Sequence, residues 1–96
     1  MFYCKIHAAG NEKIIALADE SVIGKTFSGD NASITVSESF YAGKKCSGSL
    51  EKAIRDATII NAVGNEIVGL MIRKKIVERK NVLEIGGVLH AQVVTL

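Results

Sequence analysis

The sequence predicts an α+β domain with two consecutive helices packed on one face of a mostly antiparallel sheet. The first part and the last stretch of the chain consist of β-forming residues bounded by Gly-containing turns. Two segments with apolar residues at helical spacing lie between them. This order of strands, two helices and a final strand pair is typical of the α+β class.

The composition indicates one domain, which we expect to span residues 1–96. Hydrophobic residues make up 48% of the chain, so a core can form without metal or disulfide bridges. The chain has two cysteines, no signal-peptide pattern and no apolar run of membrane-spanning length. We therefore expect a cytoplasmic protein with reduced thiols and no membrane association.

The first strand is predicted over residues 2–8, where apolar and polar side chains alternate. A two-residue turn at Gly10-Asn11 folds it onto the following strand and places Cys4 opposite Leu17. We expect Asp19 to cap a single helical turn that follows this hairpin.

A second hairpin is predicted from residues 25–27 and 33–37, with serine and threonine side chains facing water. Ser37 is expected to cap another single turn. Ser49 is expected to cap the first of the two helices, over residues 50–61, which ends or kinks at Gly64. The second helix begins at Asn65 and ends near Lys80-Asn81.

Residues 82–94 predict the last strand pair, joined by a two-residue turn at Gly86-Gly87. This register places Ile85 opposite Val88 and Leu83 opposite His90. Both faces of these strands are mainly apolar, which is typical of central strands that are covered on both sides.

His90 and Gln92 share one face of the last strand, so burial would leave them in need of hydrogen-bond partners. One interpretation is a ligand site, in which backbone amides of the turn help to bind an anion. Its candidate residues are Gly86, Gly87, His90 and Gln92. The alternative is a polar pair that joins the sheet to a helix through Asn61 or Thr58.

Positive charge is concentrated near the end of the second predicted helix. Residues 71–96 hold five Lys or Arg against two Asp or Glu. The candidates for contacts with nucleic acid are Arg73, Lys74, Lys75, Arg79 and Lys80. A helix carboxyl end also favours cations, so a solvated surface is the alternative.

No catalytic residue, cofactor or metal site is predicted. Cys4 and His7 are three residues apart on a strand, so they point to opposite faces and cannot share one metal ion. Lys44-Lys45 and a predicted helix start both favour a thiolate at Cys46. A nucleophilic role would require a nearby base, and an ordinary cysteine is the alternative.

Several segments together carry a family resemblance: Met1–His7, Gly24–Phe27, Val36–Tyr41, Ala57–Asn61 with Gly64, and Ile85–Gln92. On these segments the chain resembles the archaeal domain of unknown function 424 family over nearly its whole length. Position 89 is usually proline in that family and is Leu89 here. The resemblance therefore leaves a longer loop from Gly86 to Leu89 as an alternative to the two-residue turn.

The resemblance implies a small archaeal cytoplasmic protein without an established activity, and some members are described as candidate RNA-binding proteins in a translation setting. We expect a non-enzymatic binding module for RNA or a ribonucleoprotein. One alternative is a small-ligand protein or enzyme that uses the site around His90. The other is a structural interaction domain, including a homodimer that pairs through the edge strand Ser33–Ser37.

Overall fold

The computed structural model describes residues 2–46 and 49–95. Met1 and Leu96, the two ends of the predicted domain, lie outside the described residues. The strands are β1 (Phe2–Ala9), β2 (Glu12–Asp19), β3 (Thr26–Ser28), β4 (Ser33–Thr35), β5 (Lys44–Lys45), β6 (Ile59–Val63), β7 (Leu83–Ile85) and β8 (Val88–Val94). The helices are α1 (Glu38–Tyr41), α2 (Leu50–Ala53) and α3 (Asn65–Arg73).

Six of these strands form one sheet in the order β5-β1-β2-β6-β8-β7. Strands β2 and β6 are parallel, and the other neighbouring pairs are antiparallel. Strands β3 and β4 form a separate hairpin. The predicted α+β class with a mostly antiparallel sheet is confirmed.

The two hairpins with Gly-containing turns have the predicted registers. Cys4 pairs with Leu17, and the turn between β1 and β2 has Gly10 at φ 61°. Ile85 pairs with Val88 across Gly86-Gly87, whose φ values are 58° and 88°. A two-residue turn with two positive φ angles matches the twist of the flanking strands, so the longer loop is not formed.

The two faces of the large sheet are covered by different elements. Helices α2 and α3 pack on one face, where the fully buried side chains include Ile15, Leu17, Ile60, Ile67 and Met71. Helix α1 and the β3–β4 hairpin cover part of the other face, around Ala16, Ala18, Val36, Val63 and Val88. We call these the helix face and the hairpin face.

The predicted first helix over residues 50–61 is wrong beyond its first turn. Ser49 Oγ accepts from the Lys52 N–H at 3.2 Å, as a cap should, but α2 ends at Ala53. Residues 59–63 form β6 instead, between β2 and β8. Hydrogen bonding to a strand on each side and burial on both faces override the helical spacing of this apolar segment.

The second helix is shorter than predicted and ends at Arg73 rather than near Lys80. The Lys75 N–H donates to Ile72 O at 3.0 Å, and the Ile76 N–H donates to Met71 O at 2.9 Å. This pair of bonds is a Schellman motif, with Lys75 at φ 61° in the position that usually holds glycine. The chain then leaves the helix axis, and Val77 is buried.

Asp19 does not cap the turn that follows it in sequence. It is 4% exposed, and its two carboxylate oxygens each accept a backbone bond at 2.8 Å, from Glu66 and Ile67 in the first turn of α3. Burial raises the pKa of Asp19, and the two N–H donors oppose that rise. A side chain from β2 thereby satisfies the amino end of a helix far away in sequence.

Cys4 and Cys46 form a disulfide bond, with their Cα atoms 5.6 Å apart. This corrects the expectation of reduced thiols, and it removes Cys46 as a thiolate candidate. The bond forms because β5 pairs with the start of β1 and brings the two cysteines together. The sequence does not indicate this pairing, because the two cysteines are 42 residues apart.

Removal of the Asp19 carboxylate should destabilise the protein. We expect Asp19→Ala to lower the free energy of unfolding by about 1–3 kcal/mol, because one buried and one part-buried N–H group lose their acceptor. Urea unfolding measures this loss. Asp30→Ala, at an exposed loop position, should change stability by less than about 0.5 kcal/mol. Equal effects of the two substitutions would contradict the role of Asp19.

Reduction of the disulfide should also destabilise the protein. A closed loop of 42 residues corresponds to about 4 kcal/mol in the chain-entropy model. Guanidinium unfolding with and without reductant measures this difference. The double variant C4S/C46S should unfold like the reduced protein and should not respond to reductant. Two accessible thiols in the protein purified without reductant would contradict the bond.

Candidate functional site

His90 and Gln92 share the hairpin face of β8, but their surroundings differ. His90 is half-buried and Gln92 is exposed. Across the ladder, Val63 pairs with His90 and Asn61 pairs with Gln92. Asn61 is therefore directly opposite Gln92 and diagonal to His90 on the same face.

A chain of hydrogen bonds links His90 to α1 through Asn61. The Tyr41 hydroxyl donates to Asn61 Oδ1 at 2.6 Å, and His90 Nε2 lies 3.2 Å from the same oxygen. Since an amide oxygen only accepts, His90 donates from Nε2. Burial raises the pKa of Tyr41 to about 12, so its hydroxyl remains a donor. Asn61 lies on β6, next to β8, so this network connects His90 to α1 through a neighbouring strand, whereas the sequence placed Asn61 at the end of a predicted helix.

The Gly86-Gly87 turn is packed against two other segments. A Cβ atom at Gly86 would lie 2.7 Å from the Ser28 carbonyl oxygen, so only glycine fits there. Asn65 Nδ2 donates to the Gly87 oxygen at 3.1 Å, and the Leu89 N–H donates to Asn65 Oδ1 at 2.9 Å. These contacts hold the turn to β3 and α3, which gives both glycines a structural role.

The five predicted nucleic-acid contacts divide into two groups. Lys74 Nζ lies 2.9 Å from Glu51 Oε2, and Lys80 Nζ lies 3.4 Å from Glu78 Oε2. The other three are exposed and form no ion pair within residues 2–46 and 49–95: Arg73, Lys75 and Arg79. Since α3 ends early, these cations lie on its last turn and on the following loop, not on one continuous helix.

A cleft of about 500 Å³ separates this loop from the last residues of β8. Its walls include Lys75, Ile76, Glu78, Asn81, Gln92 and Val94. We call it the β8 cleft. Gln92 and Lys75, which the sequence assigns to two different candidate sites, therefore line one concave surface.

Two side chains that matter here were missed by the sequence analysis. Asn81 was assigned only to the end of a helix, although an asparagine directly before a strand is also typical of a turn. Tyr41 was assigned only to a capped turn. A buried tyrosine hydroxyl usually requires a partner, which is the signal that could have connected Tyr41 to Asn61.

The match to a known family covers most of the chain. Residues 7–96 match the family described as a protein of unknown function (DUF424). The chain belongs to the DUF424 family. The resemblance noted from the sequence segments is thereby confirmed.

This DUF424 chain is also similar to a solved structure, an uncharacterized conserved protein from Methanopyrus kandleri. The two have a TM-score of 0.80 and 25% sequence identity, and the alignment covers 99% of this chain and 91% of the other. No curated protein matches the DUF424 chain significantly. Among the described residues, none of the helices has the length and apolar character needed to cross a membrane.

The environment of His90 predicts a dependence of stability on pH. Burial lowers the pKa of His90 below its usual value of 6.5. The unfolded chain therefore binds the proton more tightly, so stability is full above pH 6.5 and falls as the pH drops through the folded pKa. Urea unfolding at about pH 7.5 and about pH 5.5 measures the change.

His90→Gln keeps a donor for Asn61 and should remove this part of the pH dependence. His7→Gln leaves His90 in place and should retain it. An identical pH dependence in the wild type and His90→Gln would show that His90 is not the group responsible.

Proposed function

We propose that this DUF424 protein is a non-enzymatic module that binds RNA or a ribonucleoprotein in the cytoplasm. The contact surface would consist of the loop after α3 and the β8 cleft. One observation carries the proposal: three cations without an acidic partner among the described residues follow one another from the last turn of α3 into the next loop, Arg73, Lys75 and Arg79, and Lys75 of this series lines the cleft.

Charge supplies most of the expected affinity. Exposed Lys and Arg side chains displace the counterions of a nucleic acid when they bind phosphate, which favours binding at low salt. The ion pairs of Lys74 and Lys80 neutralise two of the five cations in this segment, and three remain. A helix carboxyl end stabilises cations only within its last turn, which does not explain Arg79 in the next 3-10 turn.

The cleft provides groups that suit unpaired bases. Asn81 and Gln92 each offer an amide donor and an amide acceptor, which can bond to the exposed edges of bases in single-stranded RNA. Val94 is 59% exposed beside them and offers apolar contact. The proposed ligand is therefore single-stranded RNA, with phosphates at the loop and bases in the cleft.

A salt titration of RNA binding tests this proposal. We expect a labelled random-sequence single-stranded RNA to bind the wild-type protein at low salt and to dissociate as salt rises. The variant R73Q/K75Q/R79Q should bind more weakly, with a slope of log K against log salt that is flatter by about 0.7 for each phosphate that the variant no longer neutralises. Fluorescence anisotropy measures both quantities.

The matched control is K13Q/K25Q/R55Q, which removes the same charge at positions that line neither this cleft nor the other large concave surface. It should keep the wild-type slope. Equal slopes for both triple variants would leave only a general effect of net charge, and absence of binding by the wild type at low salt would reject the function.

A further inference from the structure

A second concave surface lies on the helix face, between β1, β5 and α2. It has a volume of about 530 Å³. Its apolar walls are Cys4, Ile6, Ile15, Cys46 and Ala53, and lysine residues lie around them. We call it the lysine groove. It shares no residue with the β8 cleft, so the inference drawn from it does not depend on the proposed function.

The apolar floor of the groove results from two short elements. Strand β5 has only two residues, so the later part of β1 has no ladder partner on that side within the described residues. Helix α2 has only four residues and covers the sheet incompletely. Ile6 is 58% exposed as a result, next to Ile15, which is 1% exposed. Exposed apolar surface inside a concave site is a common feature of ligand pockets.

The charge around this floor has one sign. Four lysines line the groove, and no Asp or Glu is among its lining residues within the described part of the chain. Lys45 Nζ lies 3.5 Å from Glu20, and Lys5 Nζ donates to the Ser39 carbonyl oxygen at 2.6 Å. Lys44 and Lys52 remain, and neither forms an ion pair within residues 2–46 and 49–95. One belongs to β5 and the other to α2, so each wall carries one cation.

We propose that the lysine groove binds a small organic anion with an apolar body, of the class of a medium-chain carboxylate. The apolar body would lie along Ile6 and Ala53, and the acid group would lie between Lys44 and Lys52. The volume is within the range of about 300–1,000 Å³ that is common for small-molecule sites. Complementary charge and apolar walls together favour an amphiphilic anion over a neutral or a fully polar ligand.

Decanoate is a suitable probe, used below the concentration at which it forms micelles and with the disulfide intact. Amide chemical-shift changes on titration give the dissociation constant and the location of binding. We expect changes at Ile6, Gly43 and Ala53. Decanol, which has the same apolar chain without the charge, should bind about tenfold more weakly, since exposed ion pairs contribute modestly to affinity.

Two variants separate the contributions of charge and apolar contact. K44Q/K52Q should weaken decanoate binding about tenfold and leave decanol binding unchanged, because both substitutions are at exposed positions. Ala53→Trp should fill the groove and weaken both ligands. Circular dichroism confirms that each variant is folded.

The control R73Q/K75Q removes the same charge at the end of α3 and should bind decanoate like the wild type. The proposal is overturned if decanoate does not bind, if its shift changes lie outside the groove, or if K44Q/K52Q binds it as the wild type does. Equal affinities for decanoate and decanol would overturn the requirement for an anion. Displacement of decanoate by RNA through the same lysines would assign the groove to nucleic acid instead.

Discussion

The buried carboxylate of Asp19 fixes the relation between the sheet and its main helix. It ends β2 and accepts the N–H groups of Glu66 and Ile67 in the first turn of α3, while β6 runs parallel beside β2 and leads directly into that helix through Gly64. Gly64 has φ 128°, and a Cβ atom there would collide with Asp19. The Asp19 carboxylate therefore links the end of β2, the requirement for glycine at position 64 and the start of α3. The position of α3 on the helix face depends on these contacts.

The side chains of the central strand β2 explain why different elements pack on the two faces of the large sheet. Ile15 and Leu17 point to the helix face, and Ala16 and Ala18 point to the hairpin face. All four are buried. The small alanines allow α1 and the hairpin to approach closely, whereas the larger side chains interdigitate with α3. The difference in side-chain size thus matches the difference between the two layers.

Local features were predictable from the sequence, and features set by distant pairing were not. The turns at Gly10 and Gly86 fix their hairpin registers within a few residues, so both registers were predicted correctly. Strand β6 was predicted as helix because its apolar residues also fit a period of 3.6, and only its pairing with β2 and β8 decides the matter. The disulfide and the capping of α3 by Asp19 were not predicted for the same reason, because each joins residues that are distant in sequence.

The candidate site was predicted in part. Strand alternation predicts that His90 and Gln92 share one face and that a buried His90 requires a hydrogen-bond partner. It does not predict Asn61 on the neighbouring strand, because residues 59–61 were assigned to a helix. The convergence of Gln92 with Lys75 does not follow, since it depends on the Schellman motif that ends α3 early. The motif has Lys75 at the position where glycine is usual, so the sequence gives little indication that the helix ends there.

Both concave surfaces have the same structural origin. The edge strands β5 and β7 have two and three residues, whereas their neighbours β1 and β8 have eight and seven. Each long strand therefore extends past its short edge strand, at opposite sides of the sheet. The uncovered ends carry Ile6 and Val94, which are 58% and 59% exposed; four lysines line the groove at Ile6, and Lys75 lines the cleft at Val94. A sheet with shortened edges, which limit edge-to-edge pairing, thereby gains two concave surfaces of different character: the lysine groove is apolar with a basic border, and the β8 cleft is mainly polar.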